Sequence, residues 1–208
     1  MKIMVVSDFH GRDDPSVKLN RLVKPQKYDL IIVCGDFTSN GPVNVGRNIL
    51  ETLVESGVPV LYVLGNMDPP ELMDELKGLG ISLHGRGMVI DDVGFAGAGF
   101  RVNLGELLEQ GIREITQATN FLVIITHIPP YGTMSDLTLN GSYIGDYGVK
   151  EIVKKYQPNV LLCGHVHEAR GLDRMGKTLI CNSGPVFRGF YAELQLTKTV
   201  EVKLLQLT

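Results

Sequence analysis

Leu30-Ile31-Ile32-Val33-Cys34-Gly35-Asp36 is an apolar, β-prone run that stops abruptly at a glycine and an acid. Four more runs end in the same way. Met4-Val5-Val6-Ser7 leads into Asp8-Phe9-His10, and Val60-Leu61-Tyr62-Val63-Leu64 into Gly65-Asn66. Phe121-Leu122-Val123-Ile124-Ile125-Thr126 leads into His127, and Val160-Leu161-Leu162-Cys163 into Gly164-His165-Val166-His167. An α/β sheet gathers its functional groups at the carboxyl ends of its strands, where loops leave the core. Four of the five histidines fall in these motifs, beside two acids and an amide. That collection describes a metal site.

Between the runs lie segments of helical period, which implies right-handed βαβ units and parallel strands through the first half. Val17, Leu19, Leu22 and Val23 form a loose stripe expected to end before Pro25. A second helix reads from Pro42, with Val45, Ile49, Leu50, Leu53 and Val54 on one face and Gly57 as its stop. A third opens at Pro69-Pro70 with Asp68 as its N-cap and packs Leu72, Met73, Leu76 and Leu79. Met88 to Ala98, broken at Asp91-Asp92, reads as a hairpin, so antiparallel strands enter here. Asn103 and Glu106 have the spacing of a capping box ahead of Leu107, Leu108, Ile112 and Ile115. A last helix carries Val149, Ile152, Val153 and Tyr156. The tail returns to β over Thr178 to Cys181, Gly189 to Leu196 and Val200 to Leu207. The expected architecture is α/β, a four-layer α-β-β-α sandwich with two mixed sheets, in one domain over 1–208.

Composition agrees with a globular chain. Of 208 residues, 44% are hydrophobic and 21% charged, and no apolar run approaches a membrane span. The net charge of −3 gives no general attraction to nucleic acid or to an anionic membrane. The three cysteines form no CxxC pair, and Cys34 and Cys163 close apolar strands, so they read as small buried hydrophobes. With no signal segment before Asp8, the expected address is the cytoplasm. Ile128 to Ile144, rich in Pro, Gly, Ser and Thr, exceeds ordinary connection lengths and reads as a substrate-side loop.

Carboxylate oxygens mixed with imidazole nitrogens suit Mn, Fe, Zn, Co or Ni as divalent ions rather than Ca. Asp8 and His10 alternate by two, as do His165 and His167, so in extended backbone each pair points one way. Asp8, His10, Asp36, Asn66, His127, His165 and His167 are too many ligands for one ion with an open position. They suit two ions ~3.5–4 Å apart that share a bridging carboxylate and clamp an in-line phosphoryl displacement.

In order and spacing the motifs Asp8-Phe9-His10, Gly35-Asp36, Gly65-Asn66-Met67-Asp68, His127 and Gly164-His165-Val166-His167 resemble those of the calcineurin-like metallophosphoesterases. His127-Ile128-Pro129-Pro130-Tyr131-Gly132-Thr133 is similar to a continuation found in the small bacterial and archaeal branch. The resemblance implies one ion on Asp8, His10, Asp36 and His167, and a second on Asp36, Asn66, His127 and His165. Asp36 would bridge, and a hydroxide between the ions would attack the phosphorus. The substrate would be a small phosphate ester or nucleotide-like molecule, with Asn66, Arg12 and Tyr131 as candidate contacts.

Met67 departs from the family's pattern, which has a histidine there credited with stabilising the transition state or protonating the leaving oxygen. A thioether does neither, so phosphodiesters and esters with good leaving groups are expected before simple monoesters. The retromer subunit of the same fold has an apolar residue at this place and serves as a scaffold, which makes a weakly catalytic interaction protein the alternative. A nuclease is a weaker third reading, because no basic stripe is present. His84 lies outside every motif and reads as a loop or edge-strand imidazole.

Overall fold

The computed structural model describes residues 1–99 and 102–207. One sheet has four parallel strands, β1 (Lys2–Val6), β2 (Leu30–Cys34), β3 (Val60–Val63) and the short β4 (Ile81–Ser82). β11 (Phe190–Leu196) and β12 (Val200–Gln206) extend it antiparallel, in the order β12-β11-β1-β2-β3-β4. In the second sheet β6 (Val93–Ala98), β7 (Phe121–Thr126), β8 (Val160–Cys163) and β10 (Thr178–Asn182) are parallel. β5 (Arg86–Ile90) and β9 (Gly171–Met175) form its antiparallel edges, in the order β5-β6-β7-β8-β10-β9.

Period-two alternation of the strand residues builds the layers. Ile3 and Val5 of β1 meet Ile32, Leu61 and Val63 across from Phe95, Val123, Ile125 and Leu162, which fills the space between the sheets. The alternate residues Met4, Val6, Ile31 and Val33 face outward onto Leu19, Val23, Ile49, Leu50 and Leu53. These come from α1 (Asp14–Gln26) and α2 (Val43–Val54). On the far side Ala96, Ile124, Leu161 and Ile180 are covered by Leu104, Leu108, Val149, Ile152 and Val153. Those helices are α4 (Leu104–Glu114) and α5 (Tyr147–Tyr156). The expected α-β-β-α sandwich of two mixed sheets is the fold. Among the described residues no helix is long and apolar enough to cross a membrane.

Several local expectations need correction. α1 continues through Pro25 to Gln26, since a proline one residue from the end forfeits a single backbone bond. α3 (Leu72–Glu75) is one turn, and its N-cap position is Glu71, so Asp68 does not cap it. Asn103 precedes α4 in the left-handed conformation and makes no side-chain cap bond, because a capping oxygen requires extended backbone. The working cap is Asp146, which accepts from the N–H of Val149 at the start of α5. β4 and β9, absent from the sequence reading, are short or half-polar strands at or near sheet edges.

Candidate metal centre

The five motifs follow β1, β2, β3, β7 and β8, all parallel strands central to their sheets, so their carboxyl ends share one rim of the sandwich. Asp8, Asp36 and His127 are buried there, while His10 and His167 are partly open to solvent. The motifs do not deliver their side chains by extended alternation. Asp8, His10, Asp36 and His165 have φ of 59°, 50°, 54° and 71°. Left-handed backbone is costly for residues other than glycine and gathers at functional sites. The tight turns it produces fold each loop back over the rim, whereas straight strands would carry the side chains away.

The geometry around Asp8 and Asp36 is dense. Nε2 of His167 lies 3.2 Å and Nε2 of His10 3.7 Å from Oδ1 of Asp8, and the two imidazole nitrogens are 3.1 Å apart. Oδ2 of Asp36 is 3.6 Å from Nε2 of His10 and 3.2 Å from Nε2 of His127, so this one oxygen stands between two groups of nitrogens. Ligand atoms of Asp8, His10 and His167, and of Asp8, Asp36 and His127, lie within 4.8 Å of one another in each set. Oδ1 of Asn66 is 2.9 Å from Nε2 of His127. His165 joins from the side, with its ring 5.1 Å from that of His127 and its backbone N–H donating to Oδ2 of Asp8.

The rings are aimed from behind. Nδ1 of His127 is 2.8 Å from the carbonyl of Cys34 and donates to it, which turns Nε2 toward the carboxylates. Nδ1 of His10 rests on the Ser39 hydroxyl at 3.0 Å. Gly35 permits the approach of the two sheets: a Cβ there would stand 2.8 Å from the Gly65 nitrogen and 2.9 Å from Nδ1 of His127. Its φ of 89° also excludes other residues without strain.

Electrostatics follow from this crowding. Burial by itself raises the Asp8 carboxyl, but the imidazoles of His10 and His167, with His127 nearby, hold it well below the usual carboxylate range. Burial lowers His127, yet Asp36, Asp8 and the Cys34 carbonyl outweigh it and bring the ring up to about 9. His165 moves the other way, down to about 4, through burial and then its neighbour His127. The buried acids and imidazoles thus lean on one another, and a divalent ion would compete with protons for the same lone pairs.

Asp68 has a different place from the one the sequence suggested. It is buried and accepts from the N–H groups of Phe37, Thr38 and Gly65 at 3.2, 2.8 and 2.9 Å, and from the Thr38 hydroxyl. It thus ties the Asp36 loop to the Asn66 loop. Oδ1 of Asp36 accepts from the Met67 N–H at 2.8 Å, a second tie between the same loops. Burial and the charge of Asp36 push the Asp68 carboxyl up to about 6 despite those donors.

Of the other candidates, Arg12 lines a groove of about 380 Å³ with His10, His167 and Phe187. The ring of Tyr131 stacks on Tyr147 with centroids 4.0 Å apart, beside Tyr143 and under the ammonium of Lys150. His84 stands outside both ligand sets, with its Nδ1 accepting from the Gly99 N–H. The Ile128 to Ile144 segment is folded rather than loose. Buried Asp136 accepts from the N–H groups of Gly132, Thr133 and Gly145, and Leu139 donates to Glu168, the neighbour of His167.

Three contributors escaped the sequence reading. Ser39 and Phe187 carry no local signal. Asn182 does: Thr178 to Asn182 is a sixth β run that ends in an amide, and Nδ2 of Asn182 holds the Val166 carbonyl between His165 and His167.

A family model described as calcineurin-like phosphoesterase matches residues 1–169. An uncharacterised protein of Methanocaldococcus jannaschii is 28% identical over 201 residues, covering 89% of this chain and 88% of that protein. A solved structure of a Thermus thermophilus protein has a TM-score of 0.77 at 17% identity, with 97% of each chain covered. An archaeal phosphodiesterase superposes over the full length of both chains with a TM-score of 0.62 at 19% identity, a likeness of fold. The family match spans most of the sequence and all five motifs: the chain belongs to the calcineurin-like phosphoesterases, a family of metal-dependent hydrolases.

Proposed function

We propose that the chain is a phosphodiesterase working with two divalent ions held by Asp8, His10, Asp36, Asn66, His127, His165 and His167. One observation carries this reading. With Nδ1 of His127 donating to Cys34, its Nε2 confronts two acceptors, Oδ1 of Asn66 and Oδ2 of Asp36, at 2.9 and 3.2 Å. Three lone pairs converge there at the edge of the buried cluster, an arrangement suited to holding a cation in exchange for a proton. Asp8, His10, Asp36 and His167 would hold the first ion, Asp36, Asn66, His127 and His165 the second. The mixed imidazole and carboxylate donors fit Mn, Fe, Zn, Co or Ni. When bound, such a pair lowers the pKa of water toward ~7 and neutralises phosphoryl oxygens.

The chain's own residues supply position. Asp36 is fixed by Met67 and Asp68 ties its loop down, while Ser39 and Cys34 aim the imidazoles. What position 67 lacks is a proton donor, since a thioether has none. Leaving groups that depart unprotonated are therefore preferred, and activated diesters should turn over before alkyl monoesters. The three cysteines are free and buried, which suits the cytoplasmic address we assign.

A second reading has one observation in its favour. Met134, Leu139, Tyr143, Ile144 and Tyr147 expose large apolar groups on and just after the His127 loop, the kind of surface an interaction scaffold presents. Stripping the protein of metal and reloading it ion by ion decides between them. Two ions per chain with turnover of bis(p-nitrophenyl) phosphate is the expected result. Two bound ions with no ester hydrolysed would transfer the conclusion to the scaffold.

A further inference from the structure

The groove beside the cluster contains an aromatic ring that the catalytic reading leaves without a task. Phe187 follows β10 on a tight turn, its N–H donating to the Asp8 carbonyl at 3.3 Å. Its ring meets those of His10 and His167 edge-on, with centroids 5.5 and 5.3 Å away and planes at 77° and 74°. Both imidazoles are proposed ligands, so the ring stands next to where a phosphoryl group would bind. Phe187 is nonetheless half-buried and lines the open groove with Arg12. A second guanidinium, that of Arg188, lies 5.4 Å from the ring centroid.

An apolar ring alone would suit any greasy substituent. An open ring with one guanidinium near it and a second arginine lining the same groove suits a flat, polarisable group attached to an anion, because aromatic rings and guanidinium groups stack on planar π systems and the arginines add opposite charge. We infer that Phe187 is the stacking platform for a planar aromatic group carried by the phosphodiester, as a nucleobase is, with Arg12 facing the anionic portion. Phe187 is thereby a specificity-determining residue. The inference rests on the phosphodiesterase reading, and its test separates the two.

Three diesters sharing the p-nitrophenolate leaving group are compared on manganese-loaded protein: thymidine, phenyl and methyl p-nitrophenyl phosphate. The wild type should prefer the thymidine ester to the methyl ester in kcat/KM, mainly through KM. Phe187→Ala should cut that preference about tenfold, the low end of what base stacking on an aromatic side chain contributes, and Phe187→Tyr should restore it. Calorimetric titration with thymidine monophosphate and methyl phosphate should give the same ratio of affinities, without relying on turnover. A preference for the phenyl ester equal to that for thymidine assigns the platform to aromatic groups in general, and a smaller one assigns it to the base. A thymidine-to-methyl ratio that stays the same in Phe187→Ala overturns the inference and leaves Phe187 as a buttress of His10 and His167. If no diester is cleaved by the wild type, the phosphodiesterase reading itself has failed, whatever the titrations give.

Discussion

Asp36 is the residue on which the site turns, since one oxygen faces the nitrogens of both ligand sets and the other holds Met67. Asp36→Asn removes the charge that both proposed ions would share. Its kcat should fall by more than about 10²-fold, the scale at which loss of a group acting directly on the reacting charge is felt. His84→Ala, outside both ligand sets, should leave kcat within about threefold, well short of that loss. Equal losses in the two folded variants would mean that the fifth histidine has been misplaced. Position 67 offers the converse experiment. Met67→His introduces a proton donor, yet Asp68 is already spent on Phe37, Thr38 and Gly65 and cannot be counted on to orient it. The gain should therefore be about tenfold on alkyl diesters, short of the ~10²–10⁴ of a positioned general acid, and smaller on p-nitrophenyl esters. A uniform gain across leaving groups would argue against proton donation.

Among the elements, the loop after β7 is built around one buried carboxylate. Asp136 is buried and accepts from three backbone N–H groups and from the Thr133 hydroxyl, closing the turn on itself. Asp136→Ala leaves those donors unpaired, at a cost of about 1–3 kcal/mol for buried groups. Hydrogen exchange should rise through Gly132 to Gly145 before it rises in β7 or α5. Protection unchanged in that stretch would show that the loop is held from outside, by Met134 on Asp173 and Leu139 on Glu168. Removal of the segment outright, the natural test of a flexible lid, would instead strip a packed unit from the β9 edge.

For the molecule as a whole, the two sheets meet at their rim through groups that share an affinity for cations. Asp8 and Asp36 come from the first sheet, His127, His165 and His167 from the second. Ions held between them would bind the folded state and not the separated strands, so they should stabilise by mass action. Manganese at about a hundred times its dissociation constant should add about 2.7 kcal/mol for each ion bound, and raise the Tm by about 5–10 °C for each. Chelator should reverse the shift in the wild type and have little to reverse in Asp36→Asn. A Tm indifferent to both would place any metal outside the folded cluster.

How much of this was legible in the sequence differs between the fold and the site. The alternation in β1, Ile3 and Val5 against Met4 and Val6, already encodes two covered faces, and five apolar runs ending in Asp, Asn or His mark one functional rim. Those are properties of neighbouring residues, and period and propensity read them directly. The manner in which the rim closes is not local. Left-handed φ at Asp8, His10, Asp36 and His165 is offset only when loops from both sheets are packed together. The same holds for Asp68, which by its position precedes a helix but in the fold clasps residues some thirty positions away. Phe187 reaches the imidazoles from the far end of the chain, and the stack of Tyr131 on Tyr147 joins a residue of the His127 loop to α5. The layers, the parallel strands that carry the motifs and the types of candidate ligand were thus legible in the sequence itself. Which oxygen stands between which nitrogens, and which ring lines the groove, was decided by tertiary structure, because contacts between distant segments have no period from which to be read.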